Sequence, residues 1–216
     1  MNRFRLLSMT SAAVPAIFLT AGLAACGGAA TSSQPAPHHT TTPAATAGTQ
    51  VITYAPWAGA GTLASSISAS ATQSGSCFST SSATTAPGAY RCLAGNDLYD
   101  PCFADAASAA GEVACPNPAN PDSVVVIKLT AALPTPATSA GSTIIPWLLV
   151  LANGQQCQTI TGTGGTLGGK NEAYGCPSGG VYGQPDTSGA TWMVWYAPSG
   201  APAPAMTQVS VAKAYT

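Results

Sequence analysis

Residues 147–161, WLLVLANGQQCQTIT, predict a β-hairpin and set the fold class of the chain. The Asn153-Gly154 dipeptide is typical of a two-residue type I′ turn, and apolar or β-branched residues flank it on both sides. Further strands are predicted where alternating or β-branched residues lie between turn residues. They are 123–130 (SVVVIKLT), 191–196 (TWMVWY) and 206–215 (MTQVSVAKAY).

Helix signals are poor by comparison. Residues 105–112 (DAASAAGE) could form two turns. We therefore predict a mostly β fold, a disulfide-stapled antiparallel sandwich or small barrel with at most one or two short helices. Residues 51–216 are expected to form this single β-rich extracytoplasmic domain.

Six cysteines lie in the predicted domain, and an even number in an exported protein indicates disulfides. A redox role would need a C-x-x-C motif, and a zinc site would need closely spaced Cys or an available His. The predicted domain has none of these, so structural disulfides are favoured. Several pairings are open, and we favour the sequential one. It joins Cys77 to Cys92, Cys102 to Cys115 and Cys157 to Cys176.

The N-terminus has the pattern of a lipoprotein signal peptide, residues 1–25. Arg3 and Arg5 precede an apolar segment, and Leu23-Ala24-Ala25-Cys26 resembles a bacterial lipobox. Cys26 would carry a diacylglyceryl group and palmitate, with the membrane lipid as its partner. Residues 26–50 are then the lipidated Cys and a disordered Thr/Pro/Ala-rich tether. The predicted location is the outer face of the cell membrane.

Charge is sparse, with six Lys or Arg and seven Asp or Glu in 216 residues. Four cations follow the predicted signal peptide, too few to follow a phosphate backbone, so a nucleic-acid partner is excluded. They are Arg91, Lys128, Lys170 and Lys213. No cofactor is expected. Ala, Thr, Gly, Ser and Pro are abundant, as in proteins of high-GC actinobacteria.

Histidine is missing from residues 51–216, since both histidines, His38 and His39, lie in the tether. Ser-His-Asp triads and Cys-His dyads need an imidazole, so we expect no enzyme of those classes. Asp97, Asp100 and Asp105 are candidate metal ligands for Ca²⁺. The same acids, with Glu112 or Glu172, could form a glycosidase pair, although the Asp100-Pro101 dipeptide is typical of a turn.

Residues 164–170, GGTLGGK, match the first part of a phosphate-binding loop. Asn171 follows, where that motif needs Ser or Thr to hold Mg²⁺. No helix pattern follows either. We interpret the segment as a hairpin loop that could form the rim of a binding face.

Four aromatic residues are candidates for ligand binding: Trp57, Tyr182, Trp192 and Trp195. Trp192 and Trp195 point to opposite faces of a strand, so both cannot lie in one core. Either one ring is exposed to a sugar or peptide, or the strand is covered on both faces; we favour the covered strand.

The chain resembles a domain of small actinobacterial exported lipoproteins, which also occurs in extracellular parts of membrane proteins including Ser/Thr kinases. The resemblance is carried by residues 77–79 (CFS), 89–92 (AYRC), 96–103 (NDLYDPCF), 146–149 (PWLL), 153–157 (NGQQC), 174–176 (YGC) and 192–196 (WMVWY). That family has no assigned activity, so the resemblance implies an envelope location and disulfides, and no catalytic residue.

These observations predict a lipid-anchored cell-envelope protein with a non-catalytic binding or structural domain. The expected partner is cell-wall glycan or another envelope protein. Two alternatives stay open: a cell-wall-acting enzyme that uses acidic residues, and a sensor-type domain that binds a small ligand.

Overall fold

The computed structural model describes residues 48–105, 111–135, 143–200, 202 and 205–216, which contain fifteen β-strands and no α-helix. The mostly β prediction is confirmed. The signal peptide, Cys26 and the tether up to residue 47 lie outside the described residues. Residues 106–110, which belong to the segment considered for a short helix, also lie outside the described residues. Glu112, at the end of that segment, begins a strand.

Most strands follow one another with short connections, and the longest connection, residues 130–147, joins β8 to β9. The first eight are β1 (Gln50–Ile52), β2 (Trp57–Gly59), β3 (Thr62–Leu63), β4 (Ser68–Thr80), β5 (Ala89–Ala94), β6 (Asp97–Ala104), β7 (Glu112–Asn117) and β8 (Asn120–Leu129). The others are β9 (Leu148–Leu151), β10 (Gln156–Thr159), β11 (Thr166–Leu167), β12 (Lys170–Cys176), β13 (Gly179–Asp186), β14 (Met193–Pro198) and β15 (Thr207–Tyr215).

Strands β4 to β8 form a closed five-stranded barrel. Each strand pairs antiparallel with the next along the chain. Because the number of strands in this meander is odd, the first and the last run in the same direction. The barrel is accordingly closed by a parallel pairing of β4 with β8.

Strands β9, β10, β12, β13, β14 and β15 form a second closed meander, the six-stranded barrel. Its strand number is even, so the closing pair of β15 with β9 is antiparallel. Strand β1 adds to β15 in parallel, and the short strand β11 pairs with β12 alone. The sequence predicted a sandwich or one small barrel, and the chain forms two small barrels.

The hairpin predicted around Asn153-Gly154 is present as β9 and β10, but its turn is not type I′. Gly154 has a φ of +83°, whereas Asn153 is not among the residues with positive φ. The Gly154 N–H donates to Leu151 O, and Leu151 N–H donates to Gln155 O. This is a three-residue loop, a type I turn followed by a left-handed glycine.

The prediction of a turn at Asp100-Pro101 is also wrong, because both residues lie inside strand β6. The peptide bond between them is cis. The neighbouring turn falls earlier, at Gly95-Asn96, where Ala94 pairs with Asp97.

Separate apolar clusters fill the two barrels. Half of the eight buried residues inside the five-stranded barrel are cysteines, next to Tyr90, Ala94, Val113 and Ile127. The interior of the six-stranded barrel is mainly aliphatic and aromatic. It contains Leu149, Leu151, Cys157, Tyr174, Val181, Val194, Tyr196, Val211 and Ala214.

A third cluster joins the two barrels around Trp147, which is 1% exposed. Tyr54 packs edge-on against Trp147 with ring centroids 5.3 Å apart, and Phe103 lies 5.1 Å from the same tyrosine ring. The Tyr54 hydroxyl donates to Pro121 O at 2.7 Å, while its N–H donates to Thr216 O. Tyr54 therefore forms hydrogen bonds to both barrels.

Within the described residues, nothing has the length and apolar character of a membrane-crossing helix.

Candidate functional site

The outer surface of the six-stranded barrel carries two aromatic side chains next to each other. Val181, Val194 and Tyr196 point into the barrel, so the alternating residues Tyr182 and Trp195 point outward. These two are directly opposite each other in the β13–β14 ladder. Trp195 is 38% exposed, whereas the sequence favoured a strand covered on both faces.

The row continues on both sides of this pair. Glu172 of β12 lies opposite Tyr182, and Gln208 of β15 lies opposite Trp195. We call Glu172, Tyr182, Trp195 and Gln208 the aromatic face. At the usual strand spacing this row is about 14 Å long, the length of a short oligosaccharide.

Glycines hold the carboxylate of Glu172 in place. Gly165 N–H donates to Glu172 Oε2 at 3.1 Å, and Glu172 N–H donates back to Gly165 O at 2.8 Å. The carboxylate lies over Gly180, where any Cβ would collide with it. Burial, and then the negative charge of Glu172, raise the pKa of Tyr182 above its ordinary value. The Glu172 carboxylate is therefore close enough to Tyr182 to disfavour ionisation of its hydroxyl.

The segment 164–170 forms the predicted hairpin beside this face. Leu167 pairs with Lys170, and Gly168 and Gly169 both have positive φ, as a type I′ turn requires. The glycines of this segment thus serve a tight turn and the approach to Glu172. The segment lies at the edge of the aromatic face through the Gly165–Glu172 hydrogen bonds, and its role as the rim of a binding face stays a prediction.

A cavity of about 500 Å³ adjoins the aromatic face. Its polar lining comes from Ser82 of the β4–β5 loop and from five residues of the six-stranded barrel: Thr159, Lys170, Asn171, Glu172 and Gln184. The aliphatic stem of Lys170 lies close to Gly183, whose φ is +81°. One cation and one carboxylate among amides and hydroxyls make a mainly neutral, hydrogen-bonding surface.

Another cavity, of about 530 Å³, lies between the β7–β8 turn and strands β10 and β12. With its amide oriented to satisfy its neighbours, Gln156 donates to Pro118 O and Ala119 O there. Among the residues that the structure describes, none with a charged or aromatic side chain lines this cavity. It therefore offers fewer specific contacts than the aromatic face.

The other two aromatic candidates support the fold. Trp57 Nε1 donates to Phe103 O at 2.8 Å, and its ring packs on the outside of the five-stranded barrel against Val124 and Val126. Trp192 packs against the core of the six-stranded barrel, and its N–H donates to Thr49 Oγ1 at 2.7 Å.

The three candidate metal ligands do not come together. Asp97 is exposed at the β5–β6 turn, and Asp105 Oδ2 accepts from Gly61 N–H at 2.8 Å. Asp100 is buried against the β4–β5 loop. Among the described residues, no group of three or more His, Cys, Asp or Glu side chains is arranged to hold a metal ion.

Asp100 has a structural environment instead. Its side chain is 3% exposed and accepts hydrogen bonds from the Ser81 hydroxyl and from the N–H and hydroxyl of Ser82, at 3.1 and 2.7 Å. Arg91 Nε lies 3.7 Å from its Oδ2. These contacts fix the loop that leads to the cavity.

All three predicted disulfides are present with the sequential pairing. Cys77–Cys92 joins β4 to β5, Cys102–Cys115 joins β6 to β7, and Cys157–Cys176 joins β10 to β12. Cys92, Cys102 and Cys157 are fully buried. The bridges therefore staple neighbouring strands inside the two barrels.

Comparisons with protein families, with curated proteins and with solved structures found no match to this chain. The functional interpretation therefore depends on the geometry of the site.

Ser82, Asn171 and Gln208 were not predicted as binding residues, and neither were Lys170 and Gln184. Lys170 and Gln184 reach the cavity because β12 pairs with β13. The register between β13 and β14 also shifts between Tyr182 and Asp186. Such an irregularity leaves no clear signal in the sequence, apart from Gly183 and Pro185 inside the strand.

Proposed function

We propose that this chain is a lipid-anchored cell-envelope protein whose β domain binds cell-wall glycan without catalysing a reaction. The aromatic face carries the proposal: Tyr182 and Trp195 lie side by side and outward, between Glu172 and Gln208. Flat apolar rings pack against the C–H faces of sugars, while the flanking polar groups bind hydroxyls. An exposed tryptophan on a sheet surface suits this role.

The envelope location is supported by the lipobox at Cys26 and by the three disulfides. Disulfides persist in oxidising compartments outside the cytoplasm. Two acyl chains on Cys26 would suffice for stable attachment to the membrane. The resemblance to actinobacterial exported lipoproteins is part of the same proposal.

The binding test is a titration of the oxidised protein with cell-wall oligosaccharides, followed by thermal unfolding. A glycan at a hundred times its Kd stabilises the folded state by about 2.7 kcal/mol, so the midpoint should rise in a saturable manner. Trp195→Ala should weaken binding about tenfold, a loss of about 1.4 kcal/mol. The free energy of unfolding of this variant should change by no more than about 1 kcal/mol, because Trp195 lies outside the barrel core and loses only cross-strand contacts.

Leu98→Ala is the matched control, because Leu98 is an exposed apolar residue of the other barrel, 46% exposed. It should bind glycan like the parent protein. The glycan-binding proposal would be refuted if no oligosaccharide raised the midpoint of thermal unfolding. It would also be refuted if Trp195→Ala left the rise in midpoint unchanged.

The anchor is tested separately by growing cells with labelled palmitate. The parent protein should incorporate the label, and Cys26→Ala should not, because the thioether at this thiol is where the lipid attaches. Ser32→Ala, a neighbouring substitution in the tether, should keep it. Label that persists in Cys26→Ala would disprove lipidation at this residue.

A further inference from the structure

Strand β4 of the five-stranded barrel has two halves with different neighbours. Residues 68–75 pair with β8, whereas pairing with β5 begins at Ser76. Within the part of the chain that the structure describes, residues 68–74 therefore pair on one side alone. We call residues 68–74 the open edge.

The open edge presents backbone hydrogen-bonding groups to solvent. In a parallel ladder, alternate residues direct N–H and C=O to the partner, and the residues between them direct theirs to the other side. The hydroxyls of Ser68 and Ser70 bond to Asp122 O and Val124 O of β8, so they do not cover this side. Residues 68–72 are all exposed.

The open edge also lacks the usual protection against pairing. Natural edge strands carry Lys, Pro or inward-pointing charges, and β4 has no charged residue and no proline over its thirteen positions. Its ladder with β8 is irregular between Ala69 and Ala71 and then regular up to Gly75. Residues 71–74 (Ala, Thr, Gln, Ser) thus form an uncharged edge in regular register with β8.

Apolar side chains lie next to this edge on the same barrel. Leu93 is opposite both Ser76 and Leu98, and Phe78 follows on β4 itself. Phe78, Leu93 and Leu98 are 52%, 42% and 46% exposed. A strand added along the open edge would therefore end beside an apolar patch that it can help to cover.

We infer that the open edge binds a second copy of this chain, with the two β4 strands antiparallel about a two-fold axis. Uncharged edges do not repel each other, and an antiparallel arrangement places each small side chain opposite another small one. A two-fold interface is self-complementary, so one unprotected edge supplies both halves of it. The exposed leucines of both copies come close to the same interface.

Single-cysteine cross-linking of the full chain in isolated membranes tests this pairing. Cysteine is placed at one position at a time: Ser70→Cys, Ala71→Cys, Thr72→Cys, Gln73→Cys and Ser74→Cys. In a two-fold antiparallel pair, the residue nearest the axis meets its own copy. The disulfide-linked dimer should therefore peak at one position and decline on both sides of it.

Thr207→Cys is the control, because Thr207 is an exposed strand residue away from the open edge. A dimer yield at residues 70–74 no higher than that of Thr207→Cys would overturn the inference. So would a cross-link whose mass shows a different partner, or the N-terminal segment of the same chain.

A charge at the open edge gives a second readout. A lysine next to the best cross-linking cysteine should lower the dimer yield several-fold, because two lysines would lie close together across the axis. The substitution is Thr72→Lys, or Ser70→Lys where Thr72→Cys gives the best yield. The free energy of unfolding should change by no more than about 0.5 kcal/mol, as for an exposed site. An unchanged dimer yield would contradict pairing through β4.

Discussion

The five-stranded and six-stranded barrels share one construction, a simple meander closed by pairing its first and last strands, but they fill their interiors differently. The smaller barrel contains four buried cysteines and two disulfides. The larger one contains a single disulfide among leucines, valines and tyrosines. A narrow barrel has little room for large side chains, and here cystines occupy the space. The comparison indicates that the two barrels depend on covalent bonds to different degrees.

The largest expected effect is the loss of both disulfides from the five-stranded barrel. Loops of 13 and 15 residues are each worth about 3 kcal/mol in the chain-entropy model, so replacing the four cysteines by alanine should cost about 6 kcal/mol. That is comparable to the whole stability of a small domain. Hydrogen exchange should show lost amide protection over β4–β8 and retained protection over β9–β15.

Replacing Cys157 and Cys176 is the matched experiment on the other barrel. This single disulfide closes a loop of 19 residues, so its loss should cost about 3 kcal/mol and leave both barrels folded. Equal loss of protection in both barrels for the two variants would show that the proposed difference does not exist.

A smaller effect is expected at Asp100, which anchors the β4–β5 loop of the five-stranded barrel. Asp100→Ala removes the acceptor of several hydrogen bonds and leaves Arg91 without its carboxylate, and it should lower the free energy of unfolding by about 2–3 kcal/mol. Urea denaturation measures this change. Asp97→Ala, at an exposed position, is the control and should stay within about 0.5 kcal/mol. Similar stability of the two variants would contradict the structural role of Asp100.

The smallest effect concerns the interior of the six-stranded barrel. The buried Tyr174 hydroxyl donates to Pro146 O at 3.0 Å, so Tyr174→Phe should cost about 1 kcal/mol near pH 7. Burial raises the pKa of Tyr174 to about 12. The unfolded tyrosine ionises near pH 10, so the parent protein should lose stability as the pH rises from 10 to 12.

Urea denaturation at pH 7 and pH 11 checks this prediction. The phenylalanine variant cannot ionise at this position, so its loss of stability between the two values should be smaller than that of the parent. Part of the alkaline effect should remain, because burial also raises the pKa of Tyr54. An identical loss in both proteins would show that Tyr174 does not cause it.

The sequence predicts the strands that carry large or β-branched residues. The segment 123–130 became β8, and 206–215 became β15, with Val211 buried and Val209 packed against the same core. The sequential disulfides were also predicted correctly. In these strands the local sequence pattern matches the tertiary environment, because one face of each strand is buried and requires apolar side chains.

Strand β4 could not be predicted in this way. Its sequence, SASATQSGSCFST, is rich in Ser and contains Ala and Gly, and it has no Val, Ile, Tyr or Trp, which favour strands. It is held by the backbone ladder with β8, about fifty residues away in the chain, and by the Cys77–Cys92 disulfide. Interactions of such long range do not show in a local pattern.

The candidate site was predictable in part. Tyr182 and Trp195 were singled out by residue type, but their position opposite each other depends on the β13–β14 register, which the sequence does not encode locally. The positions of Glu172 and Lys170 depend in addition on glycines at 165, 180 and 183. Binding faces on barrels combine residues from several strands, so register has to be known before they can be recognised.

The short strand β1 has a mechanical consequence. It is the first strand of the described chain, and it pairs in parallel with the C-terminal strand through Gln50–Lys213, Val51–Ala214 and Ile52–Tyr215. A pulling force on the N-terminal segment, resisted by a bound partner at the aromatic face, would act along β1. The β1–β15 hydrogen bonds would then be loaded together in shear, so that this three-residue ladder is the first part of the fold to resist tension.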